Sequence, residues 1–171
     1  MILELSHWGR EFLRRDKALI AAYHRYQRSS NPVDVDEAIY ELEHHLLWVA
    51  FFARRLFEEG RQAAERDTTF TPVRPPIEEI VQLSNSVLNL DGSIGANFKH
   101  NQTFSISVFD LCSQFIHNAM MNWEWATKKN EPGLFLSSDT HAKNKIYFVR
   151  ISVLSKIAFD IANLSQNDEE S

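Results

Sequence analysis

Apolar residues recur at three- and four-residue steps over three long segments of the chain, a pattern that indicates amphipathic helices. The spacing predicts helices over residues 5–28, 36–66 and 105–126, with Asp34 or Asp36 as the N-cap of the second. In the second segment, additional aromatic residues widen the apolar face beyond a third of the circumference. Such a helix lies at the centre of a fold or in an oligomer interface.

Between and after these segments the pattern changes. Residues 77–90 predict a short helix, and the glycine-containing stretch 91–102 predicts a loop. Residues 134–137 and 145–150 are rich in β-branched and aromatic side chains, which predicts a hairpin. A last amphipathic helix is expected to begin near Ser152.

The sequence therefore predicts an all-α-dominated fold, a helical bundle of about four principal helices with a small β-hairpin before the last helix. The length of 171 residues is typical of one domain, expected over 1–165, followed by an acidic, frayed tail over 166–171.

Composition narrows the class of protein. The chain is 44% hydrophobic and 24% charged, as in ordinary globular proteins, and its net charge of -5 argues against non-specific nucleic-acid binding. The only cysteine, Cys112, excludes an intramolecular disulfide and a paired-cysteine zinc site. No signal peptide and no apolar run of about 20 residues is found. A cytoplasmic protein with no membrane contact is expected.

His117 is the first candidate for chemistry. It lies one helical turn after Ser113, at the border of the apolar face of the third predicted helix. A ring in that position can be oriented by packing and reached by solvent, so it can act as a general base. The alternative is a histidine that only hydrogen-bonds to a neighbouring helix.

The segment FDLCSQFIH, which ends at His117, resembles the signature helix of the HEPN superfamily, the α-helical nucleotide-associated domains of prokaryotic defence and toxin systems. Active members carry an arginine, a polar residue and then a histidine on one helix. His117 and Ser113 match the histidine and the polar residue, and Cys112 stands where the arginine would be. The order of the predicted elements resembles these domains over about three quarters of the chain, and the motif itself matches at two positions.

The resemblance implies a ribonuclease site that is degenerate. In HEPN ribonucleases the arginine holds the scissile phosphate and the histidine moves the 2′-hydroxyl proton, and a cysteine supplies no fixed positive charge. Arg54 and Arg55 on the second predicted helix are candidates to replace that charge. The alternative is a surface charge pair beside Glu58 and Glu59.

A second cluster, Glu41, His44 and His45, contains the Glu-x-x-His spacing of di-iron bundles. Such bundles combine two motifs of this kind with two further carboxylates, and no metal and no cofactor is expected here. The simpler interpretation is that these residues form a charged part of the helix surface. His44 or His45 crossing a dimer interface is another.

The sequence thus predicts a HEPN-like prokaryotic defence or toxin-module protein with weak or no RNA-directed, metal-independent nuclease activity. The alternative is a non-catalytic interaction protein, an adaptor or an antitoxin-like helical protein. A homodimer is expected through Trp48, Phe51 and Phe52 of the second helix, and RNA or another protein is a further candidate partner.

Overall fold

The computed structural model describes residues 5–68, 75–83, 87–88, 94–95, 101–124, 132–138 and 146–164. Within them the protein is mostly helical, with four α-helices and a small antiparallel sheet, so the predicted fold class is confirmed. Contacts group the chain into two compact units, residues 1–76 with 154–171, and residues 77–153. The single domain stays a prediction.

Two long helices form most of the first unit. Helix α1 spans Leu5–Arg28, as predicted, and helix α2 spans Pro32–Arg66. Asn31 is the N-cap of α2, and its side chain accepts a hydrogen bond from the Val33 N–H at 3.1 Å. The predicted start at residue 36 was wrong, since the helix begins at Pro32. At the first helical position proline is tolerated, since the N–H there has no intrahelical partner.

The core of the first unit consists of apolar stripes at helical spacing. Most residues of α1 and α2 at apolar helical spacing are buried, whereas Trp8, Ile39 and Leu56 are only half-buried, and the two helices pack against each other in antiparallel directions. The buried residues are Phe12, Leu19, Ala22, Tyr23 and Tyr26 of α1, and Ala38, Leu42, Leu46, Val49, Ala50, Ala53 and Phe57 of α2.

A five-stranded antiparallel sheet with order β4-β1-β7-β6-β5 is the centre of the second unit, and two short strands, β2 and β3, pair separately. The strands are β1 Ile77–Leu83, β2 Val87–Leu88, β3 Ile94–Gly95, β4 Asn101–Ser107, β5 Asn118–Glu124, β6 Gly133–Ser138 and β7 Ile146–Arg150.

The predicted hairpin is present as β6 and β7, with Phe135 opposite Phe148, but it belongs to this larger sheet. The predicted helix over 77–90 is wrong, because β1 lies there. Its burial alternates, with Glu78 and Ile80 inside and Ile77 outside, which is the two-residue period of a strand. Pairing with β4 and β7 satisfies the β1 backbone, and this non-local pairing overrides local propensity.

The third helix is much shorter than predicted. Helix α3 spans Val108–Ile116 instead of residues 105–126, and Ser107 caps it by accepting a hydrogen bond from the Asp110 N–H at 3.1 Å. The chain leaves the helix at His117, whose backbone is non-helical, and continues as β5, paired with β6. Cys112 is buried in α3.

Helix α4 spans Ile151–Leu164, which confirms the predicted last helix. The Ile151 N–H donates to the carbonyl oxygen of Pro132 at 3.0 Å, so the start of α4 is joined to the residue before β6. None of the helices in the described part of the chain has the length and apolar composition of a membrane span. The predicted tail over 166–171 and the hairpin connection over 139–144 lie outside the described residues.

Gly133 of β6 lies in close contact with the neighbouring strand β7. A Cβ atom at this position would lie 2.5 Å from the carbonyl oxygen of Val149 and 2.6 Å from the ring of Phe148. We therefore expect Gly133→Ala to lower the free energy of unfolding by about 1–3 kcal/mol, because the sheet must shift to admit the methyl group. Urea denaturation of both proteins measures the change.

Gly60 in α2 provides the matched control, since a Cβ there would meet nothing within 4 Å. Gly60→Ala should stabilise the protein by about 0.5–1 kcal/mol, the helix-propensity difference. Equal effects of the two substitutions would contradict the assignment of Gly133 as a close-packing position.

Candidate functional site

His117 and Ser113 lie one turn apart at the C-terminal end of α3. The His117 side chain is exposed, and its backbone N–H donates to the Ser113 carbonyl oxygen at 3.0 Å. The Ser113 hydroxyl donates to the Phe109 carbonyl oxygen at 2.9 Å, a bond within the helix. Solvent can therefore reach the imidazole, while the serine hydroxyl is held against its own helix.

Arg54 and Arg55 lie on α2, in the first unit, whereas His117 and Ser113 lie in the second. The Nε atoms of the two arginines bind Glu58 at 2.9 Å and Glu59 at 2.7 Å. These i,i+4 pairs match the alternative interpretation of a surface charge pair. Their candidate role beside His117 stays a prediction.

Arg15 is the centre of a polar cluster between α1 and α2 that the sequence did not reveal. Its Nε atom donates to Glu11 at 2.8 Å, one of its terminal nitrogens lies 3.3 Å from Nδ1 of His45, and its guanidinium lies 4.8 Å from the ring centroid of Trp48. A guanidinium only donates, so the His45 Nδ1 accepts. This contact favours the neutral imidazole.

Both titratable partners of Arg15, Glu11 and His45, have lowered pKa values, for different reasons. Hydrogen bonds from Arg14, foremost, and from Arg15 hold the pKa of Glu11 at about 2, although partial burial raises it. Burial, and then the positive charge of Arg15, lower the pKa of His45. The cluster therefore contains an ionised carboxylate and a neutral imidazole near neutral pH.

The Glu41, His44 and His45 cluster has separate structural partners. Glu41 forms an ion pair with Arg25 of α1, and the His44 ring stacks on Tyr40 with an interplanar angle of 20°. Within the described ranges, no three histidine, cysteine, aspartate or glutamate side chains come together in a way that could hold a metal ion. Glu41 and His45 therefore link α2 to α1, whereas His44 packs on its own helix.

The three aromatic residues predicted for a dimer interface have different surroundings. Trp48 and Phe52 are half-buried and pack on α1, with Trp48 5.5 Å from Phe12 and Phe52 4.7 Å from Trp8, between ring centroids. Phe51 is 50% exposed. Only Phe51 of the three lies mainly in solvent, and the homodimer stays a prediction.

Phe51 is part of an exposed line of large side chains on α2, which we name the α2 stripe. Its apolar members are Val33, Tyr40, Leu47 and Phe51, which are 62%, 70%, 37% and 50% exposed, and His44 lies among them. At about 100° per residue, these positions share one face of the helix, on the side opposite the buried residues.

Sequence reasoning named Phe51 and missed the other apolar members of the stripe. Steps of seven, four, three and four residues from Val33 to Phe51 were a readable signal. From the sequence, the apolar residues of this helix were assigned to one widened face, whereas the structure shows a buried face and a separate exposed face. Helix α2 is thus apolar on two opposite sides.

The lowered pKa of His45 makes the stability of the helix pair depend on pH. The unfolded state, with the ordinary value of 6.5, binds the proton more readily than the folded state. Stability from this group is therefore present above pH 6.5 and is lost as the pH falls through the lowered folded value. We expect the free energy of unfolding to decline from pH 7.5 to 5, as measured by urea denaturation.

His45→Gln should flatten this decline, because the titrating group is removed. His24→Gln, which removes an exposed imidazole from α1, is the matched control and should leave the decline unchanged. An identical pH dependence of wild type and His45→Gln would show that other groups cause it.

Comparison with protein-family models, with curated proteins and with solved structures found no match for this chain.

Proposed function

We propose that this chain is a non-catalytic interaction protein, of the adaptor or antitoxin-like kind, and that the α2 stripe is its contact surface. The observation that carries the proposal is the second apolar face of α2, opposite the face that packs inside the first unit. Single exposed apolar residues are common on protein surfaces, but large ones aligned along one helix mark interaction sites.

The composition of the stripe supports a protein partner. Tyrosine and phenylalanine are enriched at the centres of protein interfaces, where rigid rings contribute large contact areas. Fully burying a side chain such as Phe51 contributes about 1.5–3 kcal/mol. Between Ser29 and Ala53 the sequence has no lysine or arginine and five carboxylates, which is unfavourable for RNA or an anionic lipid surface.

Photo-cross-linking in cells tests this function. Benzoylphenylalanine in place of Phe51 should give one discrete cross-linked adduct, whether with a second copy or with another protein. The matched control is benzoylphenylalanine in place of Phe159 of α4, which is 55% exposed outside the stripe and should give no such adduct.

Leu47→Glu, combined with the photo-reactive residue at position 51, should reduce the adduct about tenfold or more. A carboxylate buried without a partner costs several kcal/mol, and about 1.4 kcal/mol corresponds to tenfold in affinity. If position 51 gives the same adducts as position 159, or if Leu47→Glu changes nothing, the α2 stripe is not a contact surface.

The second candidate function is that of a HEPN-like defence or toxin-module protein with residual RNA-directed nuclease activity. The exposure of His117, one turn after Ser113, favours it, because a general base must reach its substrate. Cys112, at the position of the family's arginine, is buried and offers no charge to a phosphate. Under this proposal, any RNA cleavage is therefore expected to be slow.

Incubation of the purified protein with RNA in the presence of a metal chelator tests the second candidate. We expect weak or no cleavage, since loss of one positioned donor costs about 10²–10³ in rate. Any cleavage should disappear in His117→Ala and persist in His24→Ala, which removes another exposed histidine. Cleavage that survives His117→Ala would place the activity elsewhere or in a contaminant.

A further inference from the structure

We propose that the occupant of the α2 stripe is the same stripe of a second copy of this chain, in antiparallel orientation, with Tyr40 opposite the partner's Phe51. This inference rests on the proposed function, since it names the partner of the same surface. Three features of the described residues carry it: the spacing of the stripe, the distribution of charge along α2, and the chemistry of the residues that this register places together.

The spacing of the stripe is that of a helix-pairing seam. Steps of three and four residues alternate along this face of α2, which is the heptad spacing of two helices packed with interlocking side chains. The positions are four residues of the stripe and two charged residues that flank them: Glu37, Tyr40, His44, Leu47, Phe51 and Arg54. Helix α2 is 35 residues long, or about 52 Å, so a stripe of this length can face a second helix over several turns.

Charge along α2 is asymmetric. The first half has five carboxylates and no lysine or arginine, and the second half has four arginines and three glutamates. The carboxylates are Asp34, Asp36, Glu37, Glu41 and Glu43, and the arginines are Arg54, Arg55, Arg61 and Arg66. Parallel pairing would place the carboxylate-rich halves side by side, whereas antiparallel pairing places each beside the arginine-containing half of the partner.

The antiparallel register with Tyr40 opposite the partner's Phe51 also pairs the remaining seam positions favourably. It places His44 opposite the partner's Leu47, and Glu37 opposite the partner's Arg54. Twofold symmetry repeats each of these pairs, so the two rings lie against each other twice and the two opposite charges meet twice. This register thus brings the two exposed rings together and places an acidic position opposite a basic one.

The existing partners of the arginines are compatible with this arrangement. Arg54 binds Glu58, and Arg55 binds Glu59, in partly exposed pairs with the basic residue on the N-terminal side, the less favourable order for an i,i+4 pair. A guanidinium has five N–H donors, so a bond to one carboxylate through Nε allows a bond to a second. The partner's Glu37 can therefore be added without breaking the helix's own pair.

Cross-linking of single-cysteine substitutions tests both the partner and its orientation. Tyr40→Cys and Phe51→Cys alter exposed positions, and the natural Cys112 is buried. With a short thiol-to-thiol cross-linker, an equal mixture of the two variants should form a covalent dimer joining positions 40 and 51. Neither variant alone should, because two copies of position 40 are about 16 Å apart along the helices in this register, 11 residues at 1.5 Å each.

The outcomes separate this inference from the proposed function. Cross-linking of Tyr40→Cys to itself would show parallel pairing and overturn the orientation. A monomer by light scattering at high micromolar concentration, with no covalent dimer in the mixture, would overturn the second copy as partner. The proposed function would still stand if the photo-reactive residue at position 51 gave its stripe-dependent adduct with a different protein.

Charge reversal gives a second, independent measurement of orientation. Glu37→Arg and Arg54→Glu, taken singly, should each raise the dimer dissociation constant, and combining them should restore it, because the reversed charges again face each other across the interface. Lys17→Glu is the matched control. Lys17 is an exposed residue of α1, and its substitution changes the net charge as Arg54→Glu does but should leave the dissociation constant unchanged. Failure of the combined variant to recover would overturn the register.

Discussion

Helix α2 has two apolar faces, and packing within the first unit buries only one of them. The buried face carries Ala38, Leu42, Leu46 and Ala53, whose small or branched side chains allow close packing. The opposite face leaves Tyr40 and Phe51 in solvent. Fully burying one large aromatic side chain contributes about 1.5–3 kcal/mol, so covering the exposed face with a partner would favour binding.

The packing of α1 on α2 determines which face remains outside. The rings of Trp8, Phe12, Trp48 and Phe52 form a cluster in which the contacting pairs are 4.4–6.1 Å apart between centroids. The guanidinium of Arg15 over Trp48 is worth about 0.5–1 kcal/mol. The aromatic cluster therefore packs the two helices together, and Arg15, bound to Glu11 of its own helix, reaches His45 of α2.

Local periodicity predicted those elements whose backbone hydrogen bonds are local. The bounds of α1 and the existence of α2 and α4 followed from three- and four-residue spacing. Strand β1 did not, since its seven residues read equally as a short helix until β4 and β7 are known to pair with them. The same holds after His117, where the apolar pattern continues but pairing with β6 converts the segment into β5.

The candidate sites were predictable to different degrees for related reasons. The exposure of His117 agrees with the expectation that solvent reaches this ring, although the residue lies just past the end of α3, and its role in a site stays a prediction. The contacts of Arg15 were not predictable, since they join α1 to residues 30 positions away on α2. The α2 stripe lay in the sequence as regular spacing, but only burial shows that it is a second face and not part of the first.

The two proposed functions require different physical features, and their sites lie in different units. Cleavage of RNA at His117 needs positive charge near a phosphate. Cys112, which stands where the HEPN motif that this segment resembles has an arginine, is buried and supplies no fixed positive charge. Association through the α2 stripe needs only an apolar surface of matching shape and charge, and that surface is already complete in the first unit. An inactive site at His117 would therefore leave the interaction function intact, and a monomeric chain would leave the chemistry of His117 untouched.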